Sequence, residues 1–148
     1  MSTRANFLIV TPDNKVHQFY NHCDGYPEGL GELLRRHILM SLGMLVLKPN
    51  DSIYDLFMQV IDHKIIKENY RASWEDEGFN DMESPIHIHG DIDYLYIVNF
   101  SKDVPDILYC NQAWDIDRKQ NYFELVKSLC ILDKNLPLDK EIKDAEED

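Results

Sequence analysis

The order of strand and helix patterns predicts an α+β fold: an antiparallel sheet of four or five strands, with about three helices packed mainly on one face. Three observations carry this expectation. Two strand patterns open the chain, two long amphipathic stripes follow, and a second group of strands precedes a last helical stripe. Strands therefore do not alternate regularly with helices, and no GxGxxG follows a strand, so a doubly wound dinucleotide fold is not indicated.

Residues 5–11 and 15–22 read as strands around Pro12-Asp13-Asn14, a run of turn formers. In the second strand Val16, Gln18 and Tyr20 alternate with His17, Phe19 and Asn21. The segment Asp24-Gly25-Tyr26-Pro27-Glu28-Gly29 then turns the chain, and Pro27 suits a first helical position. Beyond it Leu30, Leu33, Leu34, Ile38, Leu42 and Leu45 share one face at helical spacing. Lys48 to Ser52 interrupts the stripe and offers a cap for a second helix carrying Ile53, Leu56, Phe57, Val60, Ile61 and Ile65. Residues 69–84 are polar and acidic and read as a long loop. Pro85 to His89 reads as a short strand that Gly90-Asp91 ends. Ile92 to Phe100 is the strongest strand, with Tyr94, Tyr96, Val98 and Phe100 on one face and Leu95 and Ile97 on the other. Apolar on both faces, it belongs in the middle of the sheet. Asp106 to Asn111 supplies another strand, and Tyr122, Leu125, Val126, Leu129 and Cys130 define a third helix.

A chain of 148 residues is expected to form one domain over 1–138, followed by an acidic tail over 139–148 that frays. No apolar run approaches the ~18 residues of a spanning helix, and the four apolar residues Phe7 to Val10 are too few for a signal-peptide core. A cytoplasmic protein with no membrane association is expected. Cys23, Cys110 and Cys130 are odd in number and form no CxxC, which fits reduced thiols. The net charge is −12, of which residues 74–93 hold −7 and residues 139–148 hold −4. Duplex nucleic acid is disfavoured as a direct partner, since phosphate contacts need clustered Lys or Arg and only Arg35-Arg36 comes near.

Four constellations are candidates for function. At the first, free N–H groups of a helix start attract anions, so Asp24, Gly25, Tyr26, Glu28 and Gly29 form a possible nucleotide or anion site. No Walker lysine follows, and Asp24 and Glu28 serve equally well as a cap and a dipole partner. At the second, His87 and His89 share a face of an extended strand; with Asp91 or Asp93 and His22 they could ligate a metal and support hydrolysis. Polar residues on an exposed turn account for the same pattern. At the third, Cys23 lies between His22 and Asp24, but neighbours on a strand face opposite ways, and no nucleophile signature accompanies them. The fourth is acidic: Glu75, Asp76, Glu77, Asp81 and Glu83 surround Trp74 and Phe79, a composition that suits a basic protein surface as well as plain solubility.

Tyr20 through Gly29, followed by a leucine-rich helix, and Gly90-Asp91-Ile92-Asp93-Tyr94-Leu95-Tyr96 together resemble a small family of phage, prophage and bacterial proteins. That family pairs a strand–DGYPEG–helix motif with a GDxxYxY strand. The resemblance covers about a third of the chain and implies a mobile-element or bacterial setting rather than a reaction. The family more often carries an aromatic residue where Cys23 stands, and His87 and His89 lie outside its pattern. The expectation is a non-enzymatic protein without cofactor that binds or inhibits a host or bacterial protein through the acidic 74–93 surface.

Overall fold

The computed structural model describes residues 3–61, 74–102, 105–117 and 119–132. Strands β1 (Ala5–Val10) and β2 (Lys15–Asn21) form the expected hairpin, in register from Ala5↔Asn21 to Val10↔Val16. Its turn is tied by Thr11, whose amide donates to the Lys15 carbonyl at 2.9 Å, and by Asn14 in the left-handed region at φ 63°. Helix α1 (Glu32–Leu47) follows a π-type turn over Pro27–Gly31, and helix α2 (Ile53–Val60) starts at Ser52, whose hydroxyl accepts from the Asp55 amide at 3.1 Å. The rest of the second helical stripe, through Ile65, falls outside the described residues. Strands β3 (Trp74–Asp81), β4 (Tyr94–Asn99) and β5 (Asp106–Asn111) complete most of the sheet. A single helical turn, α3 (Tyr122–Leu125), carries a full capping box between Asn121 and Glu124 and leads to the two-residue strand β6 (Cys130–Ile131).

The α+β class holds, and the sheet differs from expectation in two ways. Among the described residues it has six strands in the order β3-β2-β1-β4-β5-β6. It is mixed rather than antiparallel, because β4 lies parallel to β1 from Ala5↔Tyr94 to Val10↔Asn99. The two longer helices share one face, as expected, and only the one-turn α3 lies on the other. Helices α1 and α2 cover Phe7, Ile9, Phe19, Tyr96 and Val98 on one side. The opposite side, with Leu8, Val10, Leu95 and Ile97, is closed by Ile86, Ile88 and Ile92 of an irregular segment and by Tyr122 and Leu125 of α3. Covering both faces is what a parallel central pair requires, and it explains why all six residues of β1 are buried.

Three local expectations are corrected as well. The loop assigned to 69–84 is a strand from Trp74 to Asp81, while 69–73 lies outside the described residues. The strand expected at 85–89 pairs with nothing in the ladder; Ile86 and Ile88 plug the sheet while His87 faces out. The third helix stops after one turn, passes through a 3-10 turn at Val126–Ser128 and gives Cys130 to β6. The acidic tail 139–148 also falls outside the described residues.

The joint between β2 and α1 is the tightest part of the chain. Gly25 donates to the Thr3 carbonyl, Gly29 to the Tyr26 carbonyl and Leu30 to the Asp24 carbonyl, each at 2.9 Å. A Cβ at Gly29 would lie 2.4 Å from the Asp24 carbonyl oxygen, and one at Gly25 would lie 2.9 Å from both the Ala5 Cβ and the Thr3 carbonyl oxygen. Both residues must be glycine for steric reasons. Gly43, in the interior of α1, has open space around it. Gly29→Ala is therefore expected to destabilise the protein by about 1–3 kcal/mol, and Gly43→Ala to stabilise it by about 0.5–1 kcal/mol. Urea unfolding of the two variants checks the contrast; equal effects would contradict the steric account.

Candidate functional site

Much of the acidic stretch that the sequence marks for partner binding is strand β3, the outermost strand on the β2 side among the described residues. β3 pairs with β2 in two runs, His17↔Phe79 and Phe19↔Asp76, with a register shift between them. Glu77 and Gly78 form the extra bulge on the β3 side, and Gly78 takes a φ of 90° that favours glycine. The Gly78 amide donates to Asp76 Oδ1 at 2.8 Å, which fixes the kink.

Asp76 and Glu77, as strand neighbours, face opposite ways, and the bulge brings Phe79 to the same side as Asp76, both against His17. Asp76 accepts from His17 Nε2 at 2.8 Å, and the His17 ring, itself buried, stacks on Phe79 with centroids 4.0 Å apart. Glu77 accepts from the Asn6 side-chain amide at 2.7 Å, from that of Gln18 at 3.0 Å and from His89 Nε2 at 2.5 Å. Asn6 sits fully buried on the central strand β1 and is satisfied on both ends. Its amide nitrogen also donates to the Phe19 carbonyl, and its oxygen accepts from the His89 amide at 2.8 Å. His89 stacks on Tyr20 at 4.2 Å. This network ties the edge strand, the central strand and the irregular 82–93 cover to one another.

The seven residues marked by the sequence thus divide. Trp74 faces inward, edge-on to Phe7 with centroids 4.4 Å apart, so it anchors β3 in the core rather than meeting a partner. Phe79 keeps one ring face on His17 and remains 57% exposed. Asp76 and Glu77 are engaged as described, and Asp81 accepts from the Glu83 and Ser84 amides at 2.9 and 2.7 Å. Glu75 and Glu83 are exposed and make no side-chain hydrogen bond among the described residues. The sequence could not separate the engaged carboxylates from the open ones, because Asp76 and Glu77 are engaged by partners that only the sheet brings near.

The other candidates come apart. At the 24–29 turn the amides of Gly25, Gly29 and Leu30 are all spent within the chain. Asp24 caps no helix with its side chain: its backbone is left-handed at φ 55°, and Tyr26 occupies the N-cap of the turn without a side-chain capping bond, its hydroxyl donating to Asp24 Oδ1 at 3.5 Å. Asp24, Tyr26 and Glu28 are exposed around these bonded amides. His87 points to solvent, His89 is held by Glu77, Asp91 pairs with Arg4 at 2.5 Å, and His22 lies 3.3 Å from the Tyr20 hydroxyl. Among the described residues no group of three or more His, Cys, Asp or Glu is placed to hold a metal ion.

Burial pushes the Asp76 carboxyl up, but hydrogen bonds from the Gly78 amide and His17, with the His17 charge, outweigh it and hold the group below its ordinary 3.8. A carboxyl depressed in the folded state contributes stability above its unfolded value and loses it as pH falls through the folded one. Asp76→Asn should therefore flatten the fall in stability below the ordinary value of 3.8. Urea midpoints of both proteins between about pH 5 and pH 3 check this; identical pH profiles would contradict it. No family model, curated protein or solved structure matches the chain.

Proposed function

We propose that this chain is a non-enzymatic interaction protein, encoded by a phage or its bacterial host, that binds and blocks a protein with a basic surface. The observation that carries the reading is the β3 edge, which pairs with no further strand among the described residues. Glu75 on β3 and Glu83 just beyond its end are exposed and make no side-chain hydrogen bond among the described residues, and β3 also carries the half-exposed Phe79, whose ring is stacked on His17. An edge strand offers main-chain donors and acceptors for strand addition, while acidic side chains exclude acidic and self-associating partners and attract basic ones. Phe79 supplies the apolar anchor that a charged rim lacks.

The family resemblance points to the same setting, and its two motifs touch: the Tyr96 hydroxyl, from the GDxxYxY strand, donates to the Gly25 carbonyl of the DGYPEG turn at 2.6 Å. No helix among the described residues is long and apolar enough to cross a membrane, and a cytoplasmic setting is part of the proposal. The partner is a host or bacterial protein whose basic face normally holds nucleic acid; the chain itself lacks the cationic cluster for direct nucleic-acid binding. No cofactor enters the reading.

Salt-varied pull-downs from a bacterial host, with nucleic acid as competitor, test it. A basic protein should be retained at low salt, released as salt rises and displaced by nucleic acid. Glu75→Lys/Glu83→Lys, which disturbs no internal bond, should weaken retention at least tenfold, and Phe79→Ala should do so with a smaller salt dependence. Retention that is insensitive to salt, to competitor and to the double variant would sink the proposal.

A further inference from the structure

At the ends of β1 and β4 where both strands begin, a cleft of about 690 Å³ opens beside the close of β5. That volume is in the range of small-molecule sites. One wall is held rigidly. The Arg4 amide donates to Asp93 Oδ2 at 3.2 Å, the Asp93 amide donates back to the Arg4 carbonyl at 2.8 Å, and Arg4 Nη1 lies 2.5 Å from Asp91 Oδ2. The Asp93 carbonyl accepts from the Ala113 amide at 3.1 Å, which docks the following 3-10 turn onto the same frame.

The opposite wall is made by that turn. Gln112 precedes it in the left-handed region, at φ 54° and ψ 41°, where a residue with a long side chain is strained. The turn presents Trp114 to the cleft with 52% of its surface exposed. The chain holds this flat indole at the mouth of a polar cleft instead of in either core.

The unspent hydrogen-bonding groups decide the ligand. Arg4 is paired with Asp91 while its buried Nε makes no hydrogen bond, so the described lining residues keep the net charge of Asp93, and the whole chain carries −12. A phosphate is repelled. Asp91 and Asp93 each retain a carboxylate oxygen outside these bonds, and the Asn111 and Gln112 side-chain amides and the Tyr94 hydroxyl make no hydrogen bond among the described residues. A matching ligand is planar, stacks on an indole, is rich in N–H donors along one edge, has acceptors for the amides, and carries no negative charge. We propose that this cleft binds an unphosphorylated purine nucleoside, guanosine before adenosine, with the base stacked on Trp114 and its N–H edge facing the carboxylates.

This site is independent of the β3 surface and uses none of its residues. Isothermal titration of the full chain with guanosine, followed in parallel by tryptophan fluorescence, tests it. Trp74 lies against Phe7 in the core, so quenching should come from Trp114 and vanish in Trp114→Phe. Guanosine should bind; inosine, which lacks the exocyclic amine, and guanosine monophosphate should each bind more weakly. Trp114→Ala should weaken binding about tenfold. Gln112→Gly should weaken it too while leaving the thermal midpoint unchanged or higher, since glycine accepts the left-handed backbone. Lack of guanosine binding at millimolar ligand would overturn the proposal. So would equal affinity for inosine, tighter binding of the monophosphate, or full affinity in Trp114→Ala.

Discussion

A buried hydrogen bond ties the central strand β4 to the turn that launches α1. Tyr96 is fully buried in the middle of β4, and its hydroxyl donates to the carbonyl of Gly25 at 2.6 Å. Burial, reinforced by the nearby Tyr94, pushes the phenol's pKa strongly up, which favours the neutral hydroxyl that donates this bond. Through this bond the strongest strand fixes the turn that launches α1. Gly31, where α1 begins, passes so close to the Tyr96 ring that a Cβ there would lie 3.3 Å from it. An unsatisfied carbonyl at this depth costs about 1–3 kcal/mol, enough to make the hydroxyl worth keeping over a phenylalanine.

Around this bond the sheet is organised by its parallel central pair. β1 and β4 are covered on both faces, by α1 and α2 on one side and by an irregular segment with α3 on the other. A polar residue in such a strand must be fully satisfied, and Asn6 meets that condition by reaching Glu77 on the edge strand and His89 in the cover. The acidic edge is therefore two things at once. Its bulged centre, Asp76 and Glu77, is engaged by His17, Asn6, Gln18 and His89, while Glu75, Phe79 and Glu83 are exposed. That division gives the proposed interaction surface a rigid base.

Much of this was legible in the residues. The alternation of Tyr94 to Phe100 placed the central strand correctly, and the Leu30–Ile38 stripe placed α1 against the sheet. What escaped was non-local. Nothing in the 74–81 segment alternates in hydrophobicity, because its side chains spend themselves on His17, Asn6 and Gln18 instead of on a core. Its glycine, Gly78, lies in the bulge at a positive φ. The parallel pairing of β1 with β4 depends on residues far apart in sequence and leaves no local mark beyond the apolar runs themselves. At the site, the histidines looked alike in sequence, yet Ile86 and Ile88 turn His87 outward while Glu77 holds His89. The cleft gave little sign of itself: its one signal was Trp114 in polar surroundings, and the left-handed Gln112 before it could not be seen.

Amide hydrogen exchange at Gly25, Gly29 and Leu30 tests the central claim most directly, with the intact protein compared against Tyr96→Phe. If the Tyr96 hydroxyl fixes the joint, the variant should lose protection at all three amides together while the amides of β1 and β4 keep theirs. Unchanged protection at the turn in Tyr96→Phe would show that the joint stands without the bond, and would contradict the account.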